Sequence, residues 1–229
     1  MSHDHYPLGG EMQPNSSLTQ AAPILSKPFI CRDSIALATS DFVELRASAG
    51  LAIDLRYATL NNFLGRNLYG DFNKAFLHRI AAEKLASAIK TLLEIRPAYK
   101  LIVLDTLRPQ AIQHILWDHV KGTEQEEYVA DPAKGSIHSF GLAIDLSVLD
   151  ESGTELDMGT AFDDFTQLAQ PRLEDGFVAE GRLTKQHIEN RRLLRGVMEG
   201  AGFIQLPNEW WHFDALPAAE VRANYRIVA

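Results

Sequence analysis

The stretch SIHSFGLAIDLSVL, Ser136 to Leu149, changes character at Gly141. Beyond that glycine, apolar side chains recur at every second position, Leu142, Ile144, Leu146 and Val148, with Ala143, Asp145 and Ser147 between them. A period of two is that of a β-strand, whose successive side chains point to opposite faces. Asp145 therefore leaves the core face. Its neighbours on that face, Ala143 and Ser147, are small enough to leave room above it for a ligand or a metal. His138 stands seven residues earlier, just before Gly141, where it can fold back over that space.

The flanking sequence supplies partners for this strand. LIVLD, Leu101 to Asp105, is a short apolar run suited to a buried strand. Pro109 then opens a helix, PQAIQHILWDHVK, because proline is tolerated in the first helical turn, and Arg108 falls at the strand-to-helix junction. From Asn73 to Ile95 the spacing of Phe76, Ile80, Leu85, Ile89 and Leu92 or Leu93 predicts a long core helix stopped by Pro97. Thr184 to Gly200 is a second long helix, striped by Ile188, Leu194, Val197 and Met198 and ended by Gly200 and Gly202. His114, His119 and His187 lie on these helices and read as solvated or structurally hydrogen-bonded imidazoles. The sum is an α+β fold: a central antiparallel sheet flanked by helices.

Near the C-terminus, NEWWHFD (Asn208 to Asp214) crowds Glu209, two indoles and His212 into one segment. Pro207 and Asn208 mark a turn, and WWHF has the aromatic content of a strand, which places His212 in the sheet and Glu209 at its mouth. Residues three apart on a flat strand face opposite ways, so both reach one site only if the backbone departs from extended geometry near Glu209. Two imidazoles and a carboxylate are good ligands for zinc, and a catalytic zinc keeps three protein ligands with a fourth position open to water. His138, Asp145 and His212 make three, one Zn2+ per chain. Glu209 is then left to take a proton from a water whose pKa the metal lowers. No short motif of the HExxH kind is present.

Composition narrows the function classes. A chain of 229 residues, 46% hydrophobic and 23% charged, has the apolar surface for a sizeable core. A net charge of −8 argues against a nucleic-acid partner, which favours a basic face. No run of roughly 18 apolar residues suggests a membrane span, and the N-terminus lacks the basic flank and apolar stretch of a secretory signal, so a cytoplasmic location is expected. Cys31 is the single cysteine and reads as a structural thiol. Residues 1–28, punctuated by Pro7, Pro14, Pro23 and Pro28, read as an irregular arm, and residues 29–229 as one catalytic domain. His3 and His5 in that arm are poor candidates for a catalytic site, which needs rigid supports.

S-x-H-S-x-G-x-A-x-D at Ser136 to Asp145, followed by E-W-W-H at Glu209 to His212, resembles the VanX-type D-alanyl-D-alanine dipeptidases, a zinc peptidase family. DLRYATLNNFLG (Asp54 to Gly65), LRP (Leu107 to Pro109), MGTAFD (Met158 to Asp163) and NRRLLRGVMEGAGF (Asn190 to Phe203) extend the resemblance over roughly residues 50 to 215. It implies zinc on His138, Asp145 and His212, with Glu209 as general base. It also implies that Arg108 faces the carbonyl oxygen of the scissile bond, where a permanently charged guanidinium meets the developing oxyanion. A cation at a helix start otherwise opposes the helix dipole, so something else should want that charge. A dipeptidase recognises both free ends of a small dipeptide substrate. By the resemblance Asp163 and Tyr57 take the ammonium, and Ser136 with Tyr128 takes the carboxylate. Trp210 and Trp211 read as buttresses. Without the family, Asp163 reads as a surface acid and Tyr57 as a half-buried aromatic.

Two alternatives remain open at this level. The zinc signature alone also fits D,D- or L,D-carboxypeptidases and endolysin-type peptidases acting on peptidoglycan, for which a secretion signal or wall-binding module is expected. A non-enzymatic zinc-binding domain predicts a closed coordination sphere or no base.

Overall fold

The computed structural model describes residues 41–228; the expected N-terminal arm, His3, His5 and Cys31 lie outside the described residues. Seven strands and five helices follow in the order β1 (Phe42–Glu44), β2 (Leu51–Ile53), β3 (Phe76–His78), α1 (Arg79–Ile95), β4 (Lys100–Asp105), α2 (Gln110–Val120), β5 (Ala143–Leu149), α3 (Glu174–Ala179), α4 (Lys185–Gly200), β6 (Ile204–Gln205), β7 (His212–Asp214) and α5 (Ala218–Asn224). Among the described residues no helix is long and apolar enough to cross a membrane.

The central sheet has the order β2-β4-β5-β7-β6. β4 with β5, β5 with β7 and β7 with β6 pair antiparallel, as expected, but β2 and β4 run parallel. The chain between those two passes through β3 and α1, the long crossover that a parallel pair needs. The strand read from Gly141 onward is β5. Its two faces are both covered, so Asp145 and Ser147 are as buried as Ile144 and Leu146. The apolar face joins Leu101, Val103, Ile144, Leu146, Val148 and Phe213 to Leu85, Ala88 and Leu92 of α1 and Leu194, Val197 and Met198 of α4 in one cluster. The opposite face carries Asp105, Asp145, His212 and Asp214, all buried.

The helix expected from Asn73 starts later. Residues 76–78 form β3 and pair with β1, and α1 begins at Arg79 with the His78 side chain accepting from the Ile80 amide at 3.3 Å. Phe76 and Leu77 are both buried, and long-range pairing with Phe42–Glu44 overrides the local periodicity. α2 starts after Pro109 and α4 after Thr184 as expected, the latter with a reciprocal cap between Thr184 and His187. His187 also meets Asp157 at 3.1 Å, so its role is structural.

Gly141 turns the chain from the Ile137–Phe140 3-10 turn into β5 with φ 67°, and its carbonyl accepts from the His78 amide. A Cβ there would sit 2.5 Å from Phe42 Cε1 and 3.1 Å from the His78 nitrogen. Gly141→Ala is therefore expected to lower stability by about 1–3 kcal/mol through the left-handed φ alone, and more through the clash. Urea unfolding measures it, and an unchanged midpoint would contradict the reading.

Candidate active site

The register of β5 against β7 sets Asp145 directly opposite His212. Side chains so paired on one face of an antiparallel ladder lie close enough to touch. His138 comes from the 3-10 turn before Gly141, and its carbonyl accepts from the Arg108 and Gly141 amides, which fixes the turn against the end of β4. The result is a triangle: His138 Nε2 to Asp145 Oδ1 3.2 Å, His138 Nε2 to His212 Nδ1 3.1 Å, and His212 Nδ1 to Asp145 Oδ1 3.1 Å. These separations match, within a few tenths of an ångström, the edge of about 3.3 Å that bonds of about 2.0–2.1 Å make in a tetrahedron. The three residues form a candidate metal site.

The outer ring nitrogens fix what the inner ones offer. His138 Nδ1 lies 2.7 Å from the Thr106 carbonyl, which only accepts, so Nδ1 carries the proton. His212 Nε2 lies 2.8 Å from Asp214 Oδ1 and donates to it. With both rings neutral, the atoms that face inward are then two lone pairs and a carboxylate oxygen, with no N–H among them. Something positive has to sit there. Burial alone would lower the basicity of His212, but Asp214 and Asp145 outweigh it and hold its pKa well above the ordinary value. The negative charge that would draw a proton onto the ring is equally suited to hold a cation.

β7 starts only at His212. Trp210 and Trp211 lie in a turn rather than in the strand that the aromatic content suggested, because Trp210 donates its amide to Ala169 instead of the ladder. This turn is the departure from extended geometry expected near Glu209. It lets Glu209 Oε2 approach to 3.9 Å of His212 Nδ1, too far for a hydrogen bond. Burial pushes the Glu209 carboxyl up to about 7. A carboxyl group with such a pKa both takes and returns a proton near neutrality.

Arg108 is buried at the junction of β4 and α2. What wants its charge is Asp105, which the sequence reading did not single out: Nε and Nη2 lie 2.9 and 2.7 Å from Asp105 Oδ2, and Nη1 donates to Gln113 Oε1 at 3.0 Å. Tyr69 donates to the other Asp105 oxygen at 2.5 Å. Asp145 Oδ2 stands 3.6 Å from Nη2, and the guanidinium lies 4.9 Å over the Tyr57 ring. Burial would weaken the charge, yet Asp105 and its neighbours hold the Arg108 pKa well above the ordinary value. Five guanidinium N–H groups exceed these partners, so donor capacity remains on the cavity side.

Asp163 has φ 60°, a strained conformation of the kind that concentrates at functional sites. It accepts from the Tyr57 hydroxyl at 3.1 Å through Oδ1, while Oδ2 is buried without a partner among the described residues. Burial, reinforced by Asp145, raises its pKa well above the ordinary carboxylate value. The two tryptophans grip this segment: Trp210 Nε1 donates to Thr160 at 2.8 Å, and Trp211 meets Phe162 edge-on at 5.4 Å. Ser136 is buried at the start of the His138 turn. Tyr128 is half-buried, stacked on Phe165 at 5.3 Å, with its hydroxyl accepting from Gln170 at 2.7 Å. A cavity of about 260 Å³ is lined by all nine residues singled out from the sequence, the three of the triangle, Glu209, Arg108, Tyr57, Tyr128, Ser136 and Asp163. Sequence reasoning missed Asp105, Thr106, Gln113 and Asp214. Asp105 and Asp214 had a signal: an acid ending an apolar strand three residues before an arginine, and an acid two residues beyond a histidine on the same strand face.

Two imidazoles and a carboxylate on a sheet, with an unligated carboxyl group beside them in a small cavity, are the parts of a mononuclear metallopeptidase centre. The profile of Peptidase_M15, described as D-ala-D-ala dipeptidase, matches residues 38–228. A D-alanyl-D-alanine dipeptidase of Escherichia coli is 35% identical over 192 residues, spanning 83% of this chain and 91% of that protein. One from Synechocystis is 30% identical over 162 residues, spanning 58% and 66%, and one from Enterococcus faecium is 28% identical over 181 residues, spanning 72% and 85%. The chain belongs to the D-ala-D-ala dipeptidase family of peptidases.

Replacing Asp105 by alanine would leave Arg108 buried with its nearest carboxylate removed. Asp105→Ala is expected to cost about 3–5 kcal/mol, read as a shifted urea midpoint. An unshifted midpoint would show that Gln113 and Asp145 suffice.

Proposed function

We propose that this chain hydrolyses D-alanyl-D-alanine or a similar D,D-dipeptide, with one zinc ion held by His138, Asp145 and His212 and with Glu209 as the general base. The observation that carries the reading is the convergence of His138 Nε2, His212 Nδ1 and an Asp145 oxygen at 3.1–3.2 Å from one another, beside a carboxyl group that stays out of the triangle. When bound, the ion supplies Lewis-acid charge at the scissile carbonyl and lowers the pKa of a water.

The chain's own groups account for the rest. Glu209 takes the proton of the attacking water and returns it to the leaving amine. Arg108, anchored by Asp105, presents its spare N–H to the carbonyl oxygen as negative charge develops there. The orphaned oxygen of Asp163, steadied by Tyr57, takes the substrate ammonium. Ser136 and Tyr128, which also line the cavity, take the carboxylate end. A buried acid with one free oxygen favours a free N-terminus over a longer chain, because an extended peptide would leave that acid unpaired. This separates the dipeptidase from a carboxypeptidase or endolysin built on the same metal signature. The D,D stereochemistry rests on the family and its named relatives. Residues 29–229 are taken as the catalytic domain.

Asp214 belongs to the metal site by the same logic. It backs His212 through Nε2 as the Thr106 carbonyl backs His138 through Nδ1, and so holds each ring in the tautomer that aims a lone pair inward. Asp214→Ala is expected to weaken zinc binding about 10–100-fold in a chelator competition; unaltered zinc affinity would remove it from the site.

Glu209→Ala tests the base. The variant should keep its zinc and lose D-Ala-D-Ala hydrolysis by about 10²–10⁴-fold, while the zinc-loaded wild-type chain cleaves D-Ala-D-Ala and spares the N-acetylated dipeptide. Cleavage of the acetylated substrate would favour a carboxypeptidase, and loss of zinc from the variant would make Glu209 a ligand.

A further inference from the structure

Resting on the dipeptidase reading, we infer that Arg222 supplies the positive charge that receives the substrate's C-terminal carboxylate. The walls of the cavity carry five acids, Glu127, Asp145, Asp163, Glu209 and Asp214, against two arginines, Arg108 and Arg222. With the ion set against Asp145 and the ammonium against Asp163, the substrate carboxylate still needs a cation of its own where it docks. Arg108 does not serve, since Asp105 holds it at 2.7 Å and its spare N–H is already assigned to the scissile carbonyl. Arg222 has no carboxylate within ion-pair distance among the described residues. Its charge is left over.

Position agrees with charge. Arg222 lies on α5, and its Nε donates to the carbonyls of Lys134 and Gly135 at 3.0 and 3.3 Å while Nη2 donates to Gly135 at 3.2 Å. Gly135 is the residue immediately before Ser136, so the guanidinium is pinned one peptide unit from a proposed carboxylate contact. Although exposed, the side chain is restrained to the loop by these bonds. Here one edge of the fork is spent on backbone carbonyls, which leaves N–H groups of Nη1 and Nη2 for a second acceptor, and a carboxylate suits that planar geometry. Tyr128 is a weaker counterpart because it carries no charge; its hydroxyl accepts from Gln170 and keeps its own O–H to donate. The rival role is that of a strap holding the loop before Ser136 and nothing else, and the two roles separate by substrate.

Two substrates differing only at the C-terminus, D-Ala-D-Ala and D-Ala-D-Ala amide, are compared on the zinc-loaded chain, Arg222→Gln and Arg222→Lys. For the free dipeptide, R222Q should raise KM about tenfold with kcat nearly unchanged, as expected for a lost charge-assisted hydrogen bond. The amide, which has no charge to lose, should show little change in KM, and R222K should recover part of the preference. KM rising equally for both substrates, or for neither, would overturn the assignment and leave Arg222 as a loop strap. Calorimetric Kd values of the same two ligands in the Glu209→Ala background give the ratio without turnover. A wild-type chain that hydrolyses nothing would therefore sink the proposed activity while the binding ratio still decides Arg222.

Discussion

Asp145 and His212 face each other across the β5–β7 ladder, and the rest of the site takes its place from that pair. The pairing period of a sheet leaves no intermediate setting: a slip of one residue between the strands would put the two side chains on opposite faces. The register is secured from both sides, by the all-apolar alternate face of β5 packed on α1 and α4 and by the Gly141 turn that starts the strand. His138 then needs only the short 3-10 turn to fall into the third corner. A three-point centre thus comes from one cross-strand pair and one tight turn.

The site face collects far more negative than positive charge, and the way it is balanced explains most of the remaining architecture. Asp105 and Arg108 neutralise each other beneath the cavity. Asp214 and Asp145 lean on the histidines. Two acids, Glu209 and Asp163, are left in buried positions that favour their neutral forms. On the proposed function, a charged substrate and a divalent ion would complete what the protein leaves uncompensated, and the cavity would suit a zwitterion.

Much of this was legible beforehand because it was written in local periodicity. The alternation about Asp145, the apolar run to Asp105, the helices after Pro109 and Thr184, and the need for a backbone departure near Glu209 each followed from a window of a few residues. What was not legible depended on distant parts of the chain. Asn73 to His78 carried helical spacing, but β1 claimed part of it for a strand. Trp210 and Trp211 carried strand composition, but contacts to Ala169, Thr160 and Phe162 held them in a turn. β2 joined the sheet in parallel through a crossover that no local pattern announces. Asp163 read as a surface acid from its own neighbours; its burial and left-handed backbone are properties of the segment's docking.

The indole of Trp210 reaches from the segment that carries Glu209 to Thr160, three residues before Asp163. On the proposed function, recognition of one substrate end is thereby bolted to the chemistry at the scissile bond through a rigid bicyclic ring. Such a spacer works as a gauge for ligand size. Lineages that come to accept bulkier or longer ligands would have to recut the gauge at this indole, because reshaping the cavity wall elsewhere leaves the span between anchor and cleavage point as it was.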